Sequence, residues 1–330
     1  MFQECVIRGR RLTPARFSAP LAGYTHSAFR RLLAEFGGCG ATWTEMLATR
    51  QILNESFTES PWLRRRPADG FIVFQLMTGP GDQLERVLDR LGEQGVEAVD
   101  LNLACDALAA RARSSGSALF DNFDALRTVI GLARQRWPGM LTAKIRLGSR
   151  RPDWEPLFVE RLRFLEESGV DAVTLHPRFF EDKFKRLARL ELIPWAASLT
   201  RLPLIANGDL AGPAHVAARA DDLRPAAAVM IGRLAVAQPW LFAQWDAPVE
   251  VDLAAVWRKM FQYIAEDFAP PVALRRVQMF TKYFSANFAF GHQFRVLIGN
   301  APTLEEVLRR ADDFLARSPE ILAEPRVSGL

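Results

Sequence analysis

Short apolar runs alternate with longer segments of helical periodicity over about the first 240 residues of the chain. Eight apolar runs predict strands, at 16–20, 41–46, 71–77, 98–103, 141–147, 171–176, 203–209 and 227–233. Between them, apolar residues recur every three or four positions, which predicts helices, for example at 26–37, 82–95, 123–137 and 156–169. Strands that are nearly all apolar are typical of a parallel sheet covered on both faces.

Alternating strands and helices predict an α/β fold, and eight such units predict a (β/α)8 TIM barrel over residues 1–245. A doubly wound sheet is the alternative. The glycine-rich fingerprint that would follow its first strand is missing from the chain, where that strand leads into "APLAGY".

The pattern changes after residue 245. Residues 246–252 are a predicted linker, and the segments 253–268, 273–288 and 303–318 have helical periodicity with no strands between them. We therefore expect a small C-terminal α-helical domain over 253–320, followed by a disordered tail at 321–330.

Composition and cysteine spacing indicate a globular protein from a reducing compartment. The chain has 330 residues, of which 49% are hydrophobic and 24% charged, as in a globular protein. Cys5, Cys39 and Cys105 are far apart, which argues against a disulfide framework or a metal site and predicts a reducing, cytoplasmic compartment. No run reaches the roughly 18 apolar residues of a membrane span, so we expect no membrane partner. We also expect a monomer.

Polar residues stand at or just after seven of the eight predicted strands, where the active site of a TIM barrel lies. They are Glu45, Gln75, Asn102 with Cys105, Lys144 with Arg146, His176 with Arg178, Asn207-Gly208-Asp209, and Gly232-Arg233. Each has an ordinary structural explanation when taken alone, such as an ion pair, a turn or a small buried thiol. Together they predict one site.

The kind of ligand follows from the residue types. The glycine-bearing turns at 207–209 and 232–233 suit a phosphate, with Arg233 adding a charge-assisted contact. Gln75, Asn102 and Lys144 suit the edge of a planar polar ring that gains negative charge. This set predicts FMN, and a sugar phosphate is the alternative.

At these residues the chain resembles the tRNA-dihydrouridine synthases, from about residue 12 to 310. "APLAGYTHSAFRRLLAEFGG" is similar to the family's opening motif, and "DLNLACD" stands where the family has Asp-(Ile/Leu)-Asn-x-Gly-Cys-Pro. "TEM", "KIRLG", "LHPR", "LIANGD", "VMIGR" and "RRVQMFTKYF" match later motifs in order. The departures, Ala104 and Asp106 around Cys105 and Pro177 and Phe179 around Arg178, lie on the substrate side.

The resemblance implies reduction of uridine to 5,6-dihydrouridine in RNA, with tRNA as the expected partner, FMN as cofactor and NADPH as reductant. It implies a hydride from FMN N5 to C6 of the uracil and a proton from Cys105 to C5. An ordinary thiol, with a pKa of about 8.5, is mostly protonated at pH 7 and can serve as that acid. The implied FMN residues are Pro20, Leu21, Ala22, Gln75, Lys144, His176, Asn207, Gly208, Asp209, Gly232 and Arg233, and the implied substrate residues are Asn102, Arg146 and Arg178.

The predicted helical domain is rich in cations. Its Arg258, Lys259, Arg275, Arg276, Lys282 and Arg295 predict a face that follows RNA phosphates. Tyr24, Phe179 or Phe180 are candidates for holding an unstacked base. Two other functions stay open: a barrel reductase that uses FMN on a small molecule, and an RNA-binding relative with altered or lost activity.

Overall fold

The computed structural model describes residues 1–183, 185–325 and 327. Its strands are, in chain order, β1 (Cys5–Ile7), β2 (Arg10–Leu12), β3 (Arg16–Ser18), β4 (Ala41–Trp43), β5 (Leu47–Ala48), β6 (Ile72–Met77), β7 (Ala98–Asn102), β8 (Met140–Ile145), β9 (Ala172–Leu175), β10 (Leu204–Asn207) and β11 (Ala228–Ile231). Strands β3, β4 and β6 to β11 pair in parallel around a closed ring, in which β11 returns to β3. The predicted (β/α)8 TIM barrel is therefore confirmed.

The helices surround the barrel and then continue beyond it. They are α1 (Ser27–Phe36), α2 (Thr49–Asn54), α3 (Leu84–Glu93), α4 (Leu108–Arg111), α5 (Ser117–Asp121), α6 (Phe123–Arg136), α7 (Trp154–Glu167), α8 (Ile193–Ser198), α9 (Pro213–Ala218), α10 (Ala220–Leu223), α11 (Arg233–Ala237), α12 (Leu253–Asp267), α13 (Pro270–Phe284), α14 (Gly291–Gly299) and α15 (Leu304–Leu315). Short 3-10 turns connect several of them.

The barrel strands are buried because both of their faces are covered. Every residue of β7 and β8 is buried, and the apolar ones contribute to a continuous core. Several observed strands are shorter than predicted. The run 203–209 yields only Leu204–Asn207, because Gly208 and Asp209 leave the ladder to form the site described below.

Some elements are absent from the sequence prediction. The hairpin of β1 and β2 pairs Cys5 with Leu12 in strands of three residues, too short to produce a periodic pattern. Helix α14 lies between the predicted helical segments 273–288 and 303–318, in a stretch for which no helix was predicted. Its Phe294 and Ile298 are buried, but its apolar residues also include the exposed Val296 and Leu297, which blurs the helical pattern.

The C-terminal helices pack on the barrel through a shared core. Helix α12 packs against α1, and α13 packs against α11. Trp257, Phe284 and Phe294 are completely buried, so these aromatic residues form part of the interior of this region.

The predicted disordered tail, 321–330, falls partly outside the described residues, at 326 and 328–330. Within the described part, Ile321 forms an isolated bridge with Phe288, and the backbone N–H of Leu322 donates to the carbonyl of Asn287 at 2.7 Å. Across the described chain, none of the helices combines the length and the apolar character needed to cross a membrane.

Candidate active site

Three neighbouring strands, β6, β7 and β8, carry a hydrogen-bonded chain of buried polar side chains. Asp100 accepts from Gln75 Nε2 at Oδ2 and from Thr142 Oγ1 at Oδ1, each at 2.6 Å. Asn102 Nδ2 donates to Gln75 Oε1 at 2.8 Å. Burial raises the pKa of Asp100 to about 6, and the hydrogen bonds from Gln75 and Thr142 oppose that rise. The acid is therefore mostly ionised at neutral pH.

The chain ends at the loop that carries Cys105. Asn102 Oδ1 accepts hydrogen bonds from the backbone N–H groups of Ala104 at 3.1 Å and Cys105 at 2.9 Å. On its other side, the Cys105 carbonyl accepts from the Ser117 N–H at 2.9 Å. Asp106 Oδ1 accepts from Ser117 Oγ at 3.0 Å. The half-buried Cys105 thus stands on a backbone that is fixed from two directions.

Lys144 lies beside this loop, opposite Asn102 in the parallel register of β7 and β8. It is 8% exposed, and burial lowers its pKa to about 7, with Arg146 acting in the same direction and Asp100 and Cys105 opposing. In the described part of the chain, no residue forms a hydrogen bond or ion pair with its Nζ. A buried amine in this situation is suited to an acceptor group of a ligand.

His176 is neutral. Arg178 Nη1 lies 2.7 Å from His176 Nε2, and because a guanidinium can only donate, Nε2 accepts and the ring proton is on Nδ1. Burial lowers the pKa of His176 well below its usual range, and the charges of Lys144 and Arg146 lower it further.

Asp209 joins two arginines at the ends of β9 and β11. Its Oδ2 accepts from Arg178 Nη2 at 2.5 Å and from the Ala188 N–H at 2.9 Å, and its Oδ1 accepts from Arg233 Nη2 at 3.0 Å. Arg178 is 2% exposed and also donates to the Arg186 carbonyl at 2.6 Å. The buried guanidinium of Arg178 therefore links His176, Asp209 and the Arg186 carbonyl inside the site.

The end of β10 approaches its neighbours closely. Asn207 Nδ2 donates to the Met230 carbonyl at 2.8 Å, which ties β10 to β11. A Cβ on Gly208 would lie 2.7 Å from the Cβ of Ala188, so a side chain there would displace the loop after β9.

The turn after β3 borders the turn after β11. Pro20 and Leu21 are half-buried and Ala22 is exposed. A Cβ on Gly232 would meet Ala19 at 3.6 Å and Leu21 at 3.7 Å, which is ordinary contact. The segment 20–22 and Gly232 are therefore neighbours, as one FMN site would require.

Not every sequence-based candidate fits the site. Phe179 and Phe180 are 6% and 3% exposed, and Phe179 packs edge-on against Trp154 at 5.1 Å, so the suggestion that either ring holds a base is wrong. Tyr24 is half-buried, with its ring 5.1 Å from that of Tyr283.

The predicted cationic face of the helical region is partly neutralised. Three of its six cations form ion pairs: Arg258 with Asp312 at 2.8 Å, Lys259 with Glu35 at 2.7 Å and Arg276 with Glu45 at 3.7 Å. Arg275 is exposed, whereas Lys282 and Arg295 are half-buried.

Sequence reasoning did not single out Asp100 or Thr142. The available signal for Asp100 was an acid inside the run 98–103, in which the other polar residue is Asn102. Within the described ranges, no group of three or more His, Cys, Asp or Glu side chains has the geometry to hold a metal ion.

The chain is similar to known proteins over most of its length. The family model for dihydrouridine synthase matches residues 17–318. The chain is similar to tRNA-dihydrouridine synthase B of Pectobacterium carotovorum, with 26% identity over 311 residues that cover 89% of this chain and 95% of that protein. It is 31% identical to the protein of the same name from Salmonella typhimurium over 232 residues, which cover 69% of this chain and 70% of that one.

Among solved structures, a variant of NCR from Zymomonas mobilis aligns with a TM-score of 0.51 and 14% identity, over 78% of this chain and 94% of that one. The old yellow enzyme from Trypanosoma cruzi aligns with a TM-score of 0.52 and 12% identity, over 76% and 93%. At such identities the likeness concerns the fold.

Proposed function

This chain belongs to the dihydrouridine synthase family, and from that premise we propose that it reduces uridine to 5,6-dihydrouridine in RNA, with tRNA as substrate. The observation that carries the proposal is the location of Cys105. Asn102 Oδ1 accepts from the backbone N–H of Cys105 at the mouth of the barrel, and Cys105 is within electrostatic range of Lys144 and Arg146.

The residues present fit FMN. Lys144 offers an amine without a protein acceptor among the described residues, and the Gln75 amide retains donor and acceptor capacity beyond its bonds to Asp100 and Asn102. Residues 20–22, Asn207, Gly208, Gly232 and Arg233 would line the rest of the site, with His176 and Asp209 supporting it. FMN, reduced by NADPH, supplies the hydride to uracil C6 when bound.

The chain's own groups would complete the reaction. As C6 is reduced, negative charge develops on C5 and on the C4 carbonyl, and the Cys105 thiol donates its proton to C5. Arg146 and Asn102 would orient the uracil, and cations at the barrel mouth favour the approach of an RNA phosphate backbone. A cytoplasmic location and a monomeric state stay predictions.

The first experiment maps dihydrouridine in total tRNA from cells that lack the gene. Complementation with the wild type should restore one or more dihydrouridine sites, and Cys105→Ala should not. In single-turnover assays, Cys105→Ala should bind FMN normally but reduce RNA about 10²- to 10⁴-fold more slowly, the usual range for loss of a general acid. Cys39→Ala, which removes a thiol outside the site, is the matched control.

A result in which Cys105→Ala restores dihydrouridine as well as the wild type does would exclude Cys105 as the acid. If no dihydrouridine is lost with the gene, the uridine-reductase proposal fails.

A barrel reductase of a small molecule is the second candidate, favoured by the ion pairs that occupy three of the six predicted RNA-facing cations. RNA binding measured against salt separates the two. For an RNA enzyme the affinity falls steeply, with a slope near 0.7 to 0.9 per phosphate contact on logarithmic axes. A small-molecule reductase would show weak RNA binding.

A further inference from the structure

Asp100 lies at the centre of the buried polar chain, one step away from the groups expected to touch cofactor or substrate. Gln75 on β6 and Thr142 on β8 stand opposite it in register. Gln75, Asp100 and Thr142 are all 0% exposed, and Asn102 is 5% exposed. With so little water available, each polar atom depends on its protein partners.

The direction of every hydrogen bond in this chain is consistent with an ionised carboxylate at Asp100. An ionised acid can only accept, so Gln75 must turn its NH2 group toward Asp100 and its Oε1 away. Oε1 can only accept, so Asn102 must present its own NH2 group there. That leaves Asn102 Oδ1 facing the loop, where it receives the N–H groups of Ala104 and Cys105.

The opposite arrangement is internally inconsistent. If Gln75 were flipped, its NH2 group would face that of Asn102, and Asn102 would flip in turn. Its NH2 group would then oppose the two backbone N–H donors of Ala104 and Cys105. Burying such unmatched donors costs free energy, so the carboxylate at one end and the two N–H donors at the other select the same state of the whole chain.

We propose that Asp100 is a positioning residue: through Gln75 and Asn102 it fixes the backbone of Cys105, and thereby the place of the thiol. The structural part of this proposal, that Asp100 fixes the Cys105 backbone, is argued from these contacts alone. Its catalytic consequence rests on the proposed function, in which Cys105 is the acid.

Hydrogen exchange tests the structural part without RNA and without turnover. In Asp100→Asn, the neutral amide oxygen is a weaker acceptor for Gln75 than the carboxylate, and the amide can also present its NH2 group to Gln75. The amides of Ala104 and Cys105 should therefore exchange about five- to tenfold faster, as expected for one weakened hydrogen bond. Amides elsewhere in β7 and β8 should keep their wild-type protection.

Thr142→Val is the matched control, because it removes the other donor to Asp100 and leaves the branch toward Cys105 intact. It should leave the exchange of Ala104 and Cys105 unchanged. Asn102→Ala should raise that exchange by itself, and adding Asp100→Asn to it should produce no further increase, because the two residues act in series.

The proposal is overturned if Asp100→Asn leaves the amides of Ala104 and Cys105 as protected as in the wild type, or if Thr142→Val speeds their exchange equally. It is also overturned if the effects of Asp100→Asn and Asn102→Ala on that exchange are additive. Should Asp100→Asn fail to fold, Gln75→Met breaks the chain one link nearer the loop and should give the same local increase in exchange.

Kinetics then test the catalytic consequence. Asp100→Asn should lower kcat for RNA reduction about tenfold or more with little change in KM, because the thiol is displaced while substrate contacts remain. Reduction of the bound flavin by NADPH should be affected much less. If the wild type reduces no RNA, the proposed function fails while the exchange result still decides the role of Asp100; an unchanged kcat overturns the catalytic part.

Discussion

Lys144 illustrates how a single residue acquires its properties from its surroundings. Its ordinary pKa is lowered to about 7, first by burial and then by Arg146, although Asp100 opposes the shift. Near neutral pH the amine therefore exists in both protonation states. A ligand acceptor that gains negative charge would favour the charged state.

This shift predicts a pH-dependent contribution to stability. Because the pKa of Lys144 is lower in the folded state than its ordinary 10.5, the unfolded chain binds the proton more tightly between about pH 7 and 10.5. Its contribution to the free energy of unfolding thus rises with pH across that window and is lost as the pH falls toward 7. Between pH 7 and 9, urea unfolding of the flavin-free wild type should gain on the order of 2 kcal/mol relative to Lys144→Met. Equal pH dependence in the two proteins would contradict the shift.

At the scale of elements, the loop between β7 and α5 depends on one glycine. Gly116 has φ +62°, and a Cβ there would lie 2.3 Å from the Cys105 carbonyl oxygen. The close approach allows the Ser117 N–H to donate to that same carbonyl. The glycine therefore helps to place the thiol, although it carries no chemistry.

Two glycine substitutions should have opposite effects. Gly116→Ala combines a left-handed backbone with a clash and should destabilise the protein by at least about 1 kcal/mol and slow RNA reduction. Gly131→Ala is the control: Gly131 is exposed within α6 with nothing within 4 Å of an added Cβ, so alanine should stabilise by about 0.5 to 1 kcal/mol. The change in melting temperature of each variant tests this prediction. Equal changes in the two variants would contradict the role given to Gly116.

At the scale of the molecule, the barrel and the C-terminal helices are joined by a buried carboxylate. Asp267, at the end of α12, accepts from Arg64 at 2.8 Å, from Arg66 at 2.5 Å and from Ser27 at the start of α1. Its side chain is 1% exposed. This network holds α12 against the barrel, which keeps the helical region in a fixed place beside the site.

Removing that acid should weaken the junction. Asp267→Asn leaves Arg64 and Arg66 with a neutral partner and should lower the free energy of unfolding by on the order of 3 kcal/mol, as for other broken buried ion pairs. Asp313→Asn removes the partner of the exposed Arg309 and should leave the unfolding midpoint unchanged. Chemical denaturation of both variants tests this prediction. An unchanged midpoint for Asp267→Asn would show that the network contributes nothing to the free energy of unfolding.

The sequence predicted the repeating architecture well because each βα unit has its own local signal. Runs such as 71–77 and 141–147 are mostly apolar, with a few polar residues that belong to the candidate site. The helical segment 26–37 corresponds closely to Ser27–Phe36. Those signals depend on residues near one another in the chain. The short hairpin β1–β2 and helix α14 lack such a signal, so they became visible only through their pairing and packing.

The sequence by itself determined the fold class, the family motifs and which polar side chains stand at the strand ends, because side-chain types can be read from linear order. Tertiary structure decided how those groups are used. It buried Phe179 and Phe180, paired Arg178 and Arg233 with Asp209, and joined Asp100 to Cys105 through two amides. Hydrogen-bond direction and burial depend on residues tens of positions apart, and only closure of the barrel brings these residues within bonding distance.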